Sequence, residues 1–212
     1  MDSAIANKSD NPLALLKPKK KLRFYSLEEY LKREERALEQ HEYFNGTIIA
    51  KPMLKGPHNI IVMNTGTALN NAIDEGNKSY TVLGSNQKVY LPTLNYGLYP
   101  DVLVVCEEPE YWDENELLLI NPLLIVEVLS KSTRSYDRGN KLREYKTLTS
   151  FKEYMLIEQD KYQVELSFRE EQNLWRDTVI TDPNGTVELK SIGCTIKMAQ
   201  IYKRVFRESK SK

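Results

Sequence analysis

The rhythm of apolar and polar positions changes several times along the chain. Leu27, Tyr30 and Leu31 begin a helical stripe that runs to about Gln40, and Ser26 with Glu29 has the spacing of a capping box at its start. Glu42-Tyr43-Phe44 and Thr47-Ile48-Ile49 flank Asn45-Gly46, a pair that tolerates the positive φ of a tight turn, so a hairpin is predicted there. Pro57 suits the first position of a second helix. Ile60, Ile61, Asn64, Ala68, Ala72 and Ile73 continue it as far as Gly76.

From Tyr80 the period becomes that of strands: Thr81–Leu83, Lys88–Leu91, and Val102–Cys106 after Pro100-Asp101. Glu107 to Glu116 carries six acidic residues and reads as an exposed loop. Leu123 to Leu129 is apolar on both alternating faces, the signature of a central strand covered on both sides. A polar link, Ser130–Tyr136, leads to a helix from about Asp137 to Leu148. Strands near Glu153–Glu158, Gln163–Arg169 and Trp175–Ile180 follow, then a short helix from about Met198 to Val205. The alternation predicts an α/β (α+β) fold, with a mixed central sheet flanked by helices. Residues 1–23, rich in Asn, Ser, Pro and Lys, are expected to be a disordered basic tail, residues 24–206 a single domain, and residues 207–212 a basic C-terminal tail.

Composition narrows the classes of function. At 212 residues and 41% apolar content the chain fills one core and not two. Lys plus Arg equals Asp plus Glu at 30 each, so no global field draws the protein to DNA or to an anionic membrane, and any nucleic-acid contact must be local. Cys106 and Cys194 match no zinc spacing and suit a reducing compartment, which makes the cytoplasm the expected location. Asn121, Pro122 and Glu127 interrupt the longest apolar stretch, so no membrane span is expected, and the first residues do not read as a secretory signal. His41 and His58 are the only histidines, which leaves carboxylates and lysines as the candidates for chemistry.

Asp101 and Glu127 each sit in a run otherwise continuously apolar. A buried carboxylate must be protonated, paired with a cation or bound to a metal, because leaving it unpaired costs several kcal/mol. Two carboxylates on neighbouring strands cannot pair with one another, and at least one should have a raised pKa while no metal is bound. A hard divalent ion answers both, and oxygen donors with no clustered Cys or His suit Mg²⁺, with Mn²⁺ as a substitute. The alternative for either residue alone is structural: Asp101 opens a strand, and Glu127 pairs with a cation of the next helix.

At these residues the chain resembles a family. Tyr99-Pro100-Asp101-Val102, Leu124-Ile125-Val126-Glu127-Val128-Leu129-Ser130 and Ser132-Thr133-Arg134-Ser135-Tyr136-Asp137-Arg138-Gly139-Asn140-Lys141 together look like the Uma-type family of putative restriction endonucleases, in the PD-(D/E)XK superfamily. The resemblance runs from about Tyr25 to Tyr202 and includes Glu42 with Asn45-Gly46, and Phe151 to Ile157. It implies a restriction-endonuclease-like core with Asp101 and Glu127 as metal ligands, Lys141 as the motif lysine and Glu42 as a further acidic group near the metal. The superfamily lysine stands two positions after the glutamate, where this chain has Leu129, and the family's proline after Glu-Val-Leu-Ser is replaced by Lys131.

For Lys141 the spacing is informative, since Asp137, Lys141 and Tyr145 at i, i+4 and i+8 share a helix face. Its alternative is a solvated surface lysine. Arg134, Arg138, Arg143, Lys146 and Lys152 surround the site in sequence as possible phosphate contacts, with Arg143 and Lys146 better read as a solvated helix face. His58 reads as an ordinary cap or surface residue. The expected activity is Mg²⁺-dependent hydrolysis of DNA by an endonuclease, and the resemblance makes a homodimer an expectation because both strands are then cut. The competing reading, motivated by Leu129, is a catalytically silent nuclease fold serving as a binding or regulatory module.

Overall fold

The computed structural model describes residues 23–206, so the expected tails lie outside the described residues except for Arg23. Strands β1 (His41–Phe44), β2 (Thr47–Ala50), β3 (Tyr80–Gly84), β4 (Lys88–Leu91), β5 (Tyr96–Leu98), β6 (Val102–Cys106), β7 (Leu118–Leu119), β8 (Pro122–Leu129), β9 (Glu153–Glu158), β10 (Val164–Glu171), β11 (Leu174–Ile180), β12 (Thr186–Leu189) and β13 (Cys194–Lys197) build three sheets. The central sheet is six-stranded, in the order β11-β10-β9-β8-β6-β3. Only β8 and β9 are parallel within it. Such a pair needs a long crossover. The crossover is a helical run of α3 (Arg134–Tyr136), a π-turn (Asp137–Lys141) and α4 (Leu142–Tyr145).

Alternate residues of β8 face two cores. Leu124, Val126 and Val128 join Ile61, Ala68, Leu69 and Ile73 of helix α2 (Gly56–Glu75), together with β12, β13 and helix α5 (Met198–Ile201). Ile125 and Leu129 join Tyr145, Leu148 and a five-stranded sheet, ordered β2-β1-β5-β4-β7, that contributes Phe44, Val89, Leu91, Leu98 and Leu119. β8 is therefore covered on both faces, as its apolar run predicts. Among the described residues no helix is long and apolar enough to cross a membrane.

The structure departs from the sequence pattern where tertiary contacts override local preference. Helix α1 (Leu27–Glu34) has the expected capping box at Ser26 and Glu29 but stops short of Gln40. The Glu34 carboxylate accepts the His41 amide at 2.8 Å and the Gln40 carbonyl accepts Lys51 N–H at 2.7 Å, so the chain is drawn early into the sheet. The crossover helix begins at Arg134 inside the expected polar link. β5, β7 and the β12-β13 hairpin are not among the predicted strands; β7 is two residues of the apolar run Leu117–Ile120. Gly97 in β5 lacks strand propensity, yet a Cβ there would stand 3.2 Å from the Lys88 side chain, so close approach selects it.

The β1-β2 turn is as predicted, with φ of 41° at Asn45 and 97° at Gly46. A Cβ on Gly46 would lie 2.7 Å from Phe24, so Gly46→Ala should cost about 1–2 kcal/mol for the left-handed backbone alone. Denaturant unfolding would show this as a lower midpoint at unchanged slope. Lys88 is buried with its ammonium 4.4 Å from the Tyr30 ring and 5.2 Å from the Tyr99 ring, and burial pushes its pKa down from 10.5 to about 8. The unfolded chain then holds the proton that the folded chain has released, so this residue makes stability rise with pH between about 8 and 10.5. Lys88→Met should abolish that rise in melts across the alkaline range, and an unchanged profile would place the titration elsewhere.

Candidate active site

The β6-β8 register creates the site. Val102 pairs with Val126, so the next residues outward, Asp101 and Glu127, stand opposite each other on the face that also carries Leu103, Ile125 and Leu129. Asp101 N–H donates to the Val126 carbonyl at 3.2 Å, and Val128 N–H donates to Asp101 Oδ2 at 2.8 Å. His58 Nε2 lies 3.1 Å from the same Oδ2, while Lys51 Nζ lies 4.0 Å from Oδ1. Glu127 Oε1 is 2.7 Å from Lys141 Nζ and accepts the Tyr145 hydroxyl at 3.2 Å. Lys141 also stands 3.6 Å from Glu42 and 3.8 Å from Asp137. Glu42, within β1, accepts Tyr99 N–H at 3.3 Å and so ties the β1-β2 hairpin to the approach to Asp101.

The sequence-predicted residues Asp101, Glu127, Lys141 and Glu42 thus converge on one cleft of about 40 Å³, which is also lined by Lys51, His58 and Asp137. Asp101, Glu127 and Lys141 are each 4% exposed, so Lys141 is not a surface lysine. The π-turn helps to deliver it. In an unbroken α-helix eight residues advance about 80° beyond whole turns, which would carry Tyr145 away from Asp137. Underwinding between Asp137 and Lys141 reduces that drift, and the Tyr154 hydroxyl, donating to the Asp137 carbonyl at 3.1 Å, competes for an acceptor of the helical ladder.

The electrostatics divide the carboxylates. Burial alone would raise the pKa of Asp101, but the His58 hydrogen bond, Lys51 and the Val128 amide outweigh it and hold it below the usual carboxylate value. Burial pushes Glu127 well up, with repulsion from Asp137 and Asp101 added and Lys141 opposing. Burial likewise lifts Asp137 to about 6 against the attraction of Lys141. Burial works against the charge of Lys141, but Glu127, Glu42 and Asp137 overcome it and keep the ammonium charged well beyond its ordinary range. A single cation here serves several carboxylates.

Other sequence candidates have different tasks. Arg134 pairs with Glu158 at 2.6 Å and Asp160 at 3.3 Å, and Arg138 with Glu158 at 2.7 Å and Glu165 at 2.6 Å, so both are engaged in a carboxylate network. Arg143 bonds Asn140, Lys146 lies 4.2 Å over the Trp175 ring, and Lys152 is exposed. His58 corrects the sequence reading: it is 2% exposed and in contact with Asp101. Its signal was present, because His58, Ile61, Thr65, Ala68, Leu69 and Ile73 form the buried stripe of α2, whereas Ile60, counted on that stripe from the sequence, is 37% exposed. Lys51, in the segment after β2, had no such periodic signal.

The donor set fits Mg²⁺. Among the described residues no three His, Cys, Asp or Glu side chains are arranged to enclose an ion. Mg²⁺ does not require such a cage, since it keeps several waters and binds through one or two carboxylates. Asp101 Oδ1, free of the hydrogen bonds that occupy Oδ2, and Glu127 would hold it.

The charge balance is directly testable in EDTA near pH 7.5. Lys141→Gln strands Glu127, Glu42 and Asp137 without their shared cation and should cost about 3–5 kcal/mol, the range for breaking a buried pair. Glu127→Gln removes a charge that burial already disfavours and should melt close to the wild type. Equal melting temperatures for the Lys141 variant and the wild type would contradict the arrangement.

Comparison with known proteins bears on the family and the fold. Residues 27–199 match the Uma2 family, described as "Putative restriction endonuclease". Uncharacterized protein sll1609 of Synechocystis sp. (strain PCC 6803) is 33% identical over 160 residues, 76% of this chain and 89% of that protein. Uncharacterized protein slr1290 of the same organism is 32% identical over 178 residues, 84% of this chain and 91% of that protein. A crystal structure from Anabaena variabilis ATCC 29413, described as "a putative nuclease belonging to DUF820", has the same fold: the TM-score is 0.67 at 20% identity, covering 86% of this chain and 99% of that one. By the extent of the family match and the identity of these relatives, the chain belongs to the Uma2 family.

Proposed function

We propose that this protein is a Mg²⁺-dependent endonuclease that hydrolyses phosphodiester bonds of DNA. The observation that carries the proposal is the Lys141 ammonium 2.7 Å from Glu127, in the cleft that also holds Asp101. A lysine stands at the acidic pair although Leu129 occupies the strand position where the motif would carry it, which supports the enzyme reading over a silent fold.

A bound Mg²⁺ would lower the pKa of a water ligand and neutralise charge on a phosphate oxygen. Asp101 would offer Oδ1 and Glu127 its carboxylate. Once Glu127 serves as a ligand, Lys141 keeps Glu42 and Asp137 as partners, and these hold it charged at the cleft. From there the ammonium can orient the attacking water or stabilise the negative pentacoordinate phosphate. Glu42 is on this reading a positioning residue, acting through Lys141 and the Tyr99 amide.

Cleavage of plasmid and single-stranded DNA, with Mg²⁺ or Mn²⁺ and with EDTA, tests the proposal. Wild type should give metal-dependent product and Glu127→Gln none; equal product from both would end the enzyme reading. Lys141→Ala should lower turnover by about 10²-fold or more. Glu42→Gln should lose less, about 10- to 100-fold, as for groups that support a metal site from outside, and should be more active than Asp101→Asn.

A further inference from the structure

We propose that His58 is a positioning residue for Asp101, occupying Oδ2 so that Oδ1 is the oxygen presented to the metal. The proposal rests on the metal-dependent nuclease reading and assigns it a residue outside the acidic motif.

His58 stands in the first turn of α2, and Ile61 and Thr65 continue its buried stripe, so helix packing fixes the place of the ring. Its Nε2 is 3.1 Å from Asp101 Oδ2. That oxygen already accepts the Val128 amide at 2.8 Å, and the two contacts saturate it. Because the carboxylate can only accept, the ring carries its proton on Nε2 and donates it. The second nitrogen is the telling one. His58 Nδ1 is buried and has no hydrogen-bond partner among the described residues. The ring's polar contact among the described residues is thus with Asp101. Without it, the Val128 amide alone would hold Oδ2, and the ion would meet a less firmly oriented ligand. Hydrogen-bonded support of this kind is what sets the orientation and affinity of ligating carboxylates.

The test measures Mn²⁺ binding by isothermal titration and by electron paramagnetic resonance, without DNA, on wild type, His58→Leu, His58→Met and His58→Gln. Melting in EDTA identifies the folded variants, and the flexible methionine stands in if leucine does not fit. The apolar variants should bind Mn²⁺ about 10- to 100-fold more weakly. Gln, whose side-chain amide can donate from nearly the position of Nε2, should recover most of the affinity. In cleavage assays the apolar variants should need more Mn²⁺ for half-maximal activity, approach wild-type turnover at saturating metal, and keep the KM for DNA. Because only variants already folded in EDTA are compared, the weaker binding reports the site and not a fold rescued by metal. A folded apolar variant with wild-type Mn²⁺ affinity overturns the role of His58, as does a Gln variant no better than Met. Wild type that binds no Mn²⁺ overturns the metal reading itself, a result visible before any variant is made.

Discussion

The Lys141 ammonium, enclosed by Glu127, Glu42 and Asp137, is the interaction to which the surrounding architecture answers. Buried carboxylates repel one another and resist desolvation, and a single cation entering from the crossover helix offsets both effects. The β1-β2 hairpin brings Glu42, the β6-β8 register brings Asp101 beside Glu127, and the helical run between the parallel strands β8 and β9 brings the lysine. None of these elements alone would hold a charge in so dry a place. Their mutual dependence ties the integrity of this end of the sheet to the chemistry of the cleft.

Leucine at position 129, where the sequence resemblance would place a lysine, has a physical logic. Leu129 is fully buried and belongs to the core between the central sheet and the five-stranded sheet, with Tyr145 and Phe151 in the same cluster. A lysine at that point would have to lie in an apolar layer. Carried by the helix, the ammonium reaches Glu127 from beside the sheet and leaves the layer to leucine and aromatic rings.

Much of this was legible before any coordinates. Pro100-Asp101 and the doubly apolar run around Glu127 announce buried carboxylates by elementary solvation, and period-two alternation locates most central strands. Asp137, Lys141 and Tyr145 reveal a shared helix face by spacing alone. What stayed hidden depends on distance in three dimensions. β5 and β7 are three and two residues long and exist because neighbours pair with them. α1 ends early because Glu34 and Gln40 find partners in the first hairpin region. His58 looked like a cap or surface residue because nothing in the linear sequence places it near the carboxylates, and Arg134 and Arg138 looked available because Glu158 and Glu165 come from later strands.

The π-turn bears on how such a site can change over time. A π-turn holds one residue more than the α-turn it replaces, so it takes up an extra residue without turning the helix beyond it. Loss of one residue between Asp137 and Lys141 would be met by a return to ordinary winding, and Tyr145 would keep its face toward Glu127. A further inserted residue has no such outlet: it would swing every downstream side chain by about 100°, and Tyr145 would leave Glu127 although no residue of the cleft had been substituted. Length in this segment is therefore one-sided, forgiving a deletion and punishing an insertion.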